Sequence, residues 1–115
     1  METENGKIWK VRTVKNYTDA HNHLLVGRVL GMTDSYVRLH CRSYHFDKTV
    51  KSPADIQEGC LMVRVIPWHR VEIINELSPS FSCTQAKLTK DENEEVVLED
   101  GVHVCSLGFA HNKRF

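Results

Sequence analysis

The sequence has no long apolar run and no positively charged start. No stretch approaches the ~20 apolar residues that a membrane-spanning helix needs, and the first ten residues, METENGKIWK, are acidic and polar, unlike a secretory signal. There is also no C-x-x-C pair, since the four cysteines lie about twenty residues apart, at Cys41, Cys60, Cys83 and Cys105. These absences predict a cytoplasmic protein that keeps four reduced thiols and binds no membrane.

Short catalytic motifs are missing as well. The sequence has no Gly-rich phosphate loop, no nucleophile elbow and no carboxylates paired at the end of a strand. Cys60 could act as a nucleophile with His45 or His69, but a cysteine that begins an apolar strand belongs more often to the core. We therefore predict a non-enzymatic protein that needs no small-molecule cofactor.

Seven histidines raise the question of a metal site. The HNH triplet at residues 21–23 shares its letters with a nuclease motif but none of that motif's context. His103 and Cys105 would share one face of a strand, as zinc ligands can. Structural zinc sites usually have two closely spaced ligand pairs, however, and the sequence has no second pair. The sequence therefore predicts no metal site.

The net charge is zero, but the charges are unevenly distributed along the chain. Residues 7–70 carry eleven Lys or Arg and five Asp or Glu, a net charge of +6. Residues 71–112 carry two basic and eight acidic residues, a net charge of −6. The first half can therefore attract an anionic partner, and the acidic run of residues 91–100 could be a solvated turn or a screen for the basic half.

Short blocks of Val, Ile, Leu and aromatic residues predict strands rather than long helices. The first part has predicted strands at residues 7–14, 23–32, 36–46, 60–66 and 70–77, with a long polar loop at residues 47–59. Beyond a boundary near residues 78–82 we expect another strand, an acidic turn and a hairpin whose Asp100-Gly101 pair is typical of a type I′ turn. The predicted fold is all-β. A small SH3-like barrel with an N-terminal extension spans residues 1–77, and an acidic C-terminal hairpin over residues 78–115 packs on it.

A Pro-Trp corner interrupts the strand-like stretch LMVRVIPWHRVEII of residues 61–74. Pro67 cannot donate a hydrogen bond to a neighbouring strand and fixes its own φ near −65°. Four residues separate Ile66 from Val71, a length that suits one 3₁₀-like turn between two strands. Small SH3-like barrels close in this way, so we expect Trp68 to cap the end of the barrel or to contact a neighbouring segment.

The order of these features resembles the Sm-like family of small barrels over residues 23–76. In that family a strand with a glycine two residues before an apolar position leads through a turn with an aspartate into a bent strand. A variable loop, another strand, a one-turn corner and a short last strand follow. Gly27, Val29, Asp34 and the corner stand in this order here. The resemblance implies the fold. It does not carry over the family's uridine site, because the asparagine after the aspartate is missing and Pro67-Trp68 replaces an Arg-Gly pair.

The most suggestive surface is one face of the strand YVRLHCRSY. Alternate residues of a strand point to opposite faces, so Val37, Leu39 and Cys41 would face the core. The other face would present Tyr36, Arg38, His40, Arg42 and Tyr44, and Arg28 and Arg64 on neighbouring strands could extend it. Tyrosine rings can stack on bases, and arginines can bind phosphates through two parallel hydrogen bonds.

Three interpretations of this face are open: a surface for nucleic acid or another anion, a protein interface, or ordinary solvated surface. The leading hypothesis is a non-enzymatic module that binds RNA or another anion. The alternative is a homo-oligomeric assembly protein that uses the same face and its exposed strand edges. Such edges form a ring if they add head to tail with a closing rotation.

Overall fold

The structure, a computed structural model, describes residues 5–15 and 22–107. Within these ranges the chain forms nine strands in two antiparallel sheets, and its helical residues are confined to two single-turn 3₁₀ helices. The prediction of an all-β protein is therefore confirmed. No helix in the described ranges is both long enough and apolar enough to cross a membrane.

The first sheet contains six strands: β1 (Ile8–Thr13), β2 (Asn22–Met32), β3 (Tyr36–Phe46), β4 (Ile56–Glu58), β5 (Met62–Pro67) and β6 (Val71–Glu76). Along the sheet the order is β4-β3-β2-β1-β6, and β5 pairs with the first half of β3, on the same side as β4. Because β3 has eleven residues, β4 three and β5 six, the two short strands share its edge.

The predicted polar loop of residues 47–59 contains a 3₁₀ turn and a short strand, which corrects the sequence-based assignment. A 3₁₀ turn at Pro53–Asp55 precedes β4, and the Asp55 carboxylate accepts hydrogen bonds from the backbone N–H groups of Lys51 and Ser52. The side chain of Ile56 is buried opposite Phe46. One buried isoleucine thus anchors a strand whose other residues are polar.

The Pro-Trp corner is the 3₁₀ turn Trp68–Arg70, as predicted, and it connects three parts of the sheet. The indole N–H of Trp68 donates to the Thr33 carbonyl at 2.8 Å, and the backbone N–H of Trp68 donates to the Ser35 carbonyl at 3.1 Å. The Arg70 carbonyl accepts a hydrogen bond from the backbone N–H of Val14 at 2.8 Å. The corner therefore joins the β2–β3 turn to the end of β1, which is a structural role.

The first sheet is not closed by hydrogen bonds in the described residues. The strands β5 and β6 flank the corner in sequence but lie at opposite ends of the sheet, and no ladder joins them. The sheet therefore keeps two edges, one along β4 and β5 and one along β6.

A second sheet follows, formed by β7 (Lys87–Lys90), β8 (Val96–Glu99) and β9 (Val104–Ser106) in that order. In the β8–β9 turn the backbone N–H of Asp100 donates to the His103 carbonyl, and Gly101 alone has a positive φ, of 97°. A type I′ turn needs positive φ at both central residues, so the predicted turn type is wrong. A positive φ at the first central residue alone, with glycine there, is the pattern of a type II′ turn.

Apolar side chains form two separate cores, one on each face of the first sheet. The inter-sheet core lies between the two sheets and contains Ile8, Leu24, Val26, Tyr44, Phe46 and Ile56 from the first sheet and Phe81, Ala86, Val96, Leu98, Cys105 and Leu107 from the second part of the chain. The corner core lies on the opposite face and contains Trp9, Val11, Leu25, Val29, Val37, Leu39, Cys41 and Ile66, with Trp68, Val71 and Ile74 packed against it. Four consecutive residues, 24–27, are buried because β2 is covered on both faces.

Candidate functional site

The second sheet divides the predicted binding face of β3 into a covered part and an open part. Tyr36, Arg38 and His40 lie in the half of β3 that pairs with β5, and Tyr44 lies in the half that pairs with β4. The second sheet packs over this latter half through the inter-sheet core. The seven predicted site residues therefore do not form one surface.

Tyr44 is a core residue, so the prediction that it offers an exposed ring for stacking is wrong. It lies opposite Leu24 in the inter-sheet core, and 1% of its surface is exposed. Burial, followed by the nearby Glu58 carboxylate, raises the pKa of Tyr44 far above its usual value. The alternation of β3 predicted the side of the sheet correctly, but it gave no information on what covers that side.

Arg42 is engaged within the sheet. Its side chain is 25% exposed, Nη1 donates to the Gly59 carbonyl at 3.2 Å, and Nε lies 3.6 Å from Oε2 of Glu58. These contacts connect β3 to the last residue of β4 and to the residue that follows it. Arg42 therefore stabilises local structure and has limited freedom to bind a ligand.

Arg64 lies on the opposite face of the sheet from Arg38, so the prediction that it extends the same surface is wrong. In the ladder it pairs with Leu39, a corner-core residue. Its guanidinium donates from Nη1 to the carbonyls of Cys41 at 2.8 Å and Cys60 at 3.3 Å, and from Nη2 to Oγ of Ser43 at 3.4 Å. The face that Arg64 occupies depends on the β3–β5 register, and a shift of one residue would reverse it.

The predicted residues that come together are Arg28, Arg38 and His40, with Tyr36 at one end. Arg28 lies opposite His40 across β2 and β3, and Arg38 is the next residue of β3 on the same face. Both arginines are exposed, and neither forms an ion pair within the described ranges. Val63 lies opposite His40 and Val65 lies opposite Arg38, so apolar side chains adjoin the charges. We call Arg28, Arg38, His40, Val63 and Val65 the basic–apolar patch.

The outer edge of β5 carries several exposed apolar side chains, which the sequence analysis did not identify as a possible site. Met62 is 50% exposed on the corner-core face, and Val63 and Val65 are 44% and 55% exposed on the patch face. In the described residues β5 pairs with β3 alone, so its outer edge carries no partner strand. The sequence signal was available, since residues 62–66 contain neither Lys nor Pro, two residues that commonly protect sheet edges.

A group of basic side chains on the corner-core face was also missed. His23 and His45 lie opposite each other on β2 and β3, with their rings stacked at a centroid distance of 4.1 Å and an interplanar angle of 9°. Burial, and then the charges of His45, Arg64 and Arg70, lower the pKa of His23 to about 4. These residues are far apart in sequence, so only the hairpin register and the corner bring them together.

No protein-family model matches this chain, and neither a curated protein nor a solved structure matches it. Function is therefore inferred from the geometry of these surfaces.

Proposed function

We propose that the chain is a non-enzymatic binding module that pairs with a second copy of itself along the outer edge of β5. The observation that carries this proposal is the exposure of Met62, Val63 and Val65, which leaves apolar side chains uncovered on both faces of an unpaired edge. Such edges normally carry lysine, proline, a bulge or a cover, because an exposed strand otherwise recruits another strand. Strand addition would pair the edge and bury these side chains.

The two edge strands of the sheet favour a second copy of the chain as the partner. The other end of the sheet, β6, also has an unpaired outer edge in the described residues, and Ile73 is 49% exposed there. The β6 sequence carries Glu72 and Glu76 and no base, whereas β5 carries Arg64 and no acid. Pairing β5 of one copy with β6 of the next would bring opposite charges together. Such a head-to-tail contact forms a ring if its rotation closes, and a filament otherwise.

This proposal includes an SH3-like, Sm-like arrangement for the first sheet. Two features support it: the strand order β5-β3-β2-β1-β6, and the single 3₁₀ turn that connects the two end strands. The second sheet, packed on the inter-sheet core, is an addition to that arrangement.

The experiment is sedimentation of the full chain, of Val65→Lys and of Val102→Lys. A lysine on an edge strand opposes pairing, so Val65→Lys should be a monomer where the unmodified chain is a dimer or larger. Val102 is 83% exposed in the β8–β9 turn and belongs to neither edge strand, so Val102→Lys should assemble like the unmodified chain.

A monomeric mass for the unmodified chain at about 10 µM, well above the dissociation constants of most stable interfaces, would rule out self-pairing. Equal assembly by all three proteins would show that the contact lies elsewhere.

Binding of RNA or another anionic polymer is the second candidate, favoured by the position of Arg28 and Arg38. The two guanidiniums flank His40 on an exposed face without carboxylate partners in the described residues. They can bind successive phosphates, and Tyr36 at the end of the patch can contribute a partly exposed ring. With Tyr44 buried, we expect contacts to phosphates to dominate over stacking.

Salt-dependent binding to single-stranded RNA tests this second candidate. The log of the affinity should fall with the log of salt concentration, with a slope of about −0.7 per phosphate contact. The double variant Arg28→Ala, Arg38→Ala should weaken binding to all sequences about equally and reduce the slope. The control Lys48→Ala, Lys51→Ala removes two exposed bases outside the patch and should bind as before. Absence of binding at about 50 mM salt, where electrostatic contacts are strong, would eliminate the candidate.

A further inference from the structure

A hydroxyl, an imidazole and a carboxylate meet where the segment between β6 and β7 contacts the β8–β9 turn. Oγ of Ser80 lies 3.2 Å from Nε2 of His103, and Nδ1 of His103 lies 3.3 Å from Oδ2 of Asp100. A nucleophile within reach of a base that is itself oriented by a third group is the arrangement that activates serine for acyl transfer. We call Ser80, His103 and Asp100 the turn triad.

The Asp100 carboxylate determines which nitrogen of the imidazole carries the proton. Backbone hydrogen bonds from His103 and then from Ser82 lower the pKa of this carboxyl, so it is an anion that can only accept hydrogen bonds. Nδ1 of His103 is therefore the donor in their contact, and Nε2 of the neutral ring is left as an acceptor. The hydroxyl of Ser80 can then donate to Nε2, the nitrogen that would take up its proton.

Further contacts hold the imidazole and the hydroxyl in position. The ring of His103 lies against the buried ring of Phe81, with the two centroids 6.3 Å apart. Oγ of Ser78 accepts a hydrogen bond from the backbone N–H of Ser80 at 3.3 Å and lies 3.0 Å from Oγ of Ser80. Because the Ser80 hydroxyl donates to His103, the Ser78 hydroxyl is the donor in this last contact. One lone pair of the Ser80 oxygen remains for attack, and Ser80 is exposed to a reagent.

The three backbone N–H groups at and directly after Ser80 are already engaged. Those of Ser80 and Phe81 donate to the side chain and the carbonyl of Ser78. That of Ser82 donates to Asp100 at 2.8 Å. Enzymes that turn over acyl groups stabilise the tetrahedral oxyanion with such donors, and loss of one donor costs about 10²–10³ in rate. The turn triad is therefore suited to accept an acyl group from a donor with a good leaving group, and poorly suited to release it by hydrolysis.

We propose that Ser80 is an acyl-acceptor site, which takes one acyl group from an activated ester and retains it as a serine ester. Oγ of Ser80 forms a bond to the carbonyl carbon while its proton passes to Nε2 of His103. The bond from that carbon to the leaving oxygen then breaks, and the leaving oxygen takes the proton from Nε2. The products are the acylated chain and a free alcohol or phenol. Asp100 is a positioning residue that orients the ring and stabilises the imidazolium.

This proposal goes beyond the binding function proposed above. The residues of the turn triad belong neither to β5 and β6 nor to the basic–apolar patch. Acylation at Ser80 would be a covalent modification of the binding module, and its test does not require self-pairing or an RNA partner.

The experiment treats the full chain with p-nitrophenyl acetate and locates the acetyl groups by mass spectrometry of peptides. The internal reference is Ser35, an exposed serine of the β2–β3 turn that forms no hydrogen bond to a histidine in the described ranges. We expect Ser80 to be acetylated about 10²–10⁴ times faster than Ser35, the usual contribution of a positioned base. Release of p-nitrophenol that depends on Ser80 should stop after about one equivalent per chain, because the ester is retained.

Two histidine variants separate a base from a structural contact. His103→Gln should slow acetylation of Ser80 by about a hundredfold or more, because glutamine cannot take up the hydroxyl proton. His69→Gln changes an exposed histidine of the corner and should leave the rate at Ser80 unchanged.

The positioning role of Asp100 has a spectroscopic readout that is independent of the reaction. Ring-nitrogen resonances of the neutral His103 should show the proton on Nδ1 in the unmodified chain. Asp100→Asn should increase the population with the proton on Nε2, since an amide can donate to Nδ1. A role confined to the structure of the turn would leave the tautomer unchanged.

Four results would overturn the proposal. Equal acetylation rates at Ser80 and Ser35 would show that Ser80 is not activated, and this comparison needs no variant to fold. A proton on Nε2 of the neutral His103 ring in the unmodified chain would remove the acceptor. An unchanged rate at Ser80 in His103→Gln would assign the base elsewhere. Sustained release of p-nitrophenol that Ser80→Ala abolishes would make the site a hydrolase and not an acceptor.

Discussion

Gly27 lies opposite Trp9 of β1 and Cys41 of β3, in the middle of the first sheet. A Cβ atom at this position would collide with the His40 carbonyl oxygen and with Cys41, so the two strands approach closely only because residue 27 is a glycine. Gly27→Ala should therefore lower the free energy of unfolding by about 1–3 kcal/mol, the usual cost of overpacking a core. Urea denaturation of both proteins measures this difference.

Gly31 provides the matched control, because it lies in the same strand and a Cβ there would have no heavy atom within 4 Å. Gly31→Ala should leave the denaturation midpoint unchanged or raise it slightly, since alanine restricts the unfolded chain more than glycine does. Equal midpoints for the two variants would contradict the close approach at Gly27.

His23 gives the protein a specific dependence on pH. Its pKa is lowered from 6.5 to about 4 in the folded state, so the unfolded chain binds the proton more readily. Stability should therefore fall as the pH decreases from about 6.5 towards 4, by on the order of 1 kcal/mol for this partly exposed ring. Denaturation curves at several pH values should show this loss, and His23→Gln should reduce it. An equally steep loss in His23→Gln would assign the effect to other groups.

The sequence predicted the chemical character of the candidate site better than it predicted which residues lie together in it. Arg28, Arg38 and His40 lie together as expected, because alternation within β3 and pairing with β2 are local properties. Tyr44 and Arg64 were misassigned because their surroundings depend on distant segments: the second sheet covers Tyr44, and the β5 register turns Arg64 to the other face. A single sequence contains no direct signal for either contact.

Among the elements, the strands with several apolar residues were predictable and the short polar ones were not. The paired strands β2 and β3 match their predicted ranges to within one residue, whereas β4 depends on Ile56 alone. The corner was predictable because Pro67 cannot pair in a ladder and the gap to Val71 fits one 3₁₀ turn.

Asp100 is the side chain that organises the turn between β8 and β9. Its carboxylate accepts backbone hydrogen bonds from Ser82 at 2.8 Å, Val102 at 2.9 Å and His103 at 2.6 Å, and its side chain is only 3% exposed. The hydrogen bond from His103, followed by that from Ser82, lowers the pKa of this carboxyl. Stability from this group is therefore present above the usual aspartate pKa and is lost at lower pH.

Asp100→Asn should lower the melting temperature at neutral pH, because an amide has one acceptor oxygen and carries no charge for the three N–H donors. Glu92→Gln changes an exposed carboxylate in the other turn of the same sheet and should leave the melting temperature unchanged. An unaltered melting temperature for Asp100→Asn would show that the turn forms without the carboxylate.

At the scale of the whole molecule, the two halves of opposite charge do not act as independent units. Glu94 of the acidic turn pairs with Lys90 of its own hairpin at 3.4 Å, and Lys7 pairs with Glu76 within the first sheet at 3.7 Å. The two sheets meet through the apolar inter-sheet core and through a hydrogen bond from Lys10 Nζ to the Ser106 carbonyl at 2.7 Å. Screening of the basic–apolar patch by the acidic turn stays a prediction, and charge reversal at Glu92 and Glu94 tests it without removing the core.

A chain that ends after Leu77 should fail to fold, because it lacks one side of the inter-sheet core. The loss would expose six side chains of the first sheet that are otherwise buried: Ile8, Leu24, Val26, Tyr44, Phe46 and Ile56. At about 1.5–3 kcal/mol for each buried apolar side chain, this amounts to roughly 10 kcal/mol, comparable with the total stability of a typical domain. Circular dichroism and the breadth of the NMR spectrum measure the outcome. A chain ending after Leu107 keeps every described strand and should remain folded. If the shorter chain also gave a dispersed β-sheet spectrum, the corner core alone would be sufficient and the second sheet would be a cover rather than a structural layer.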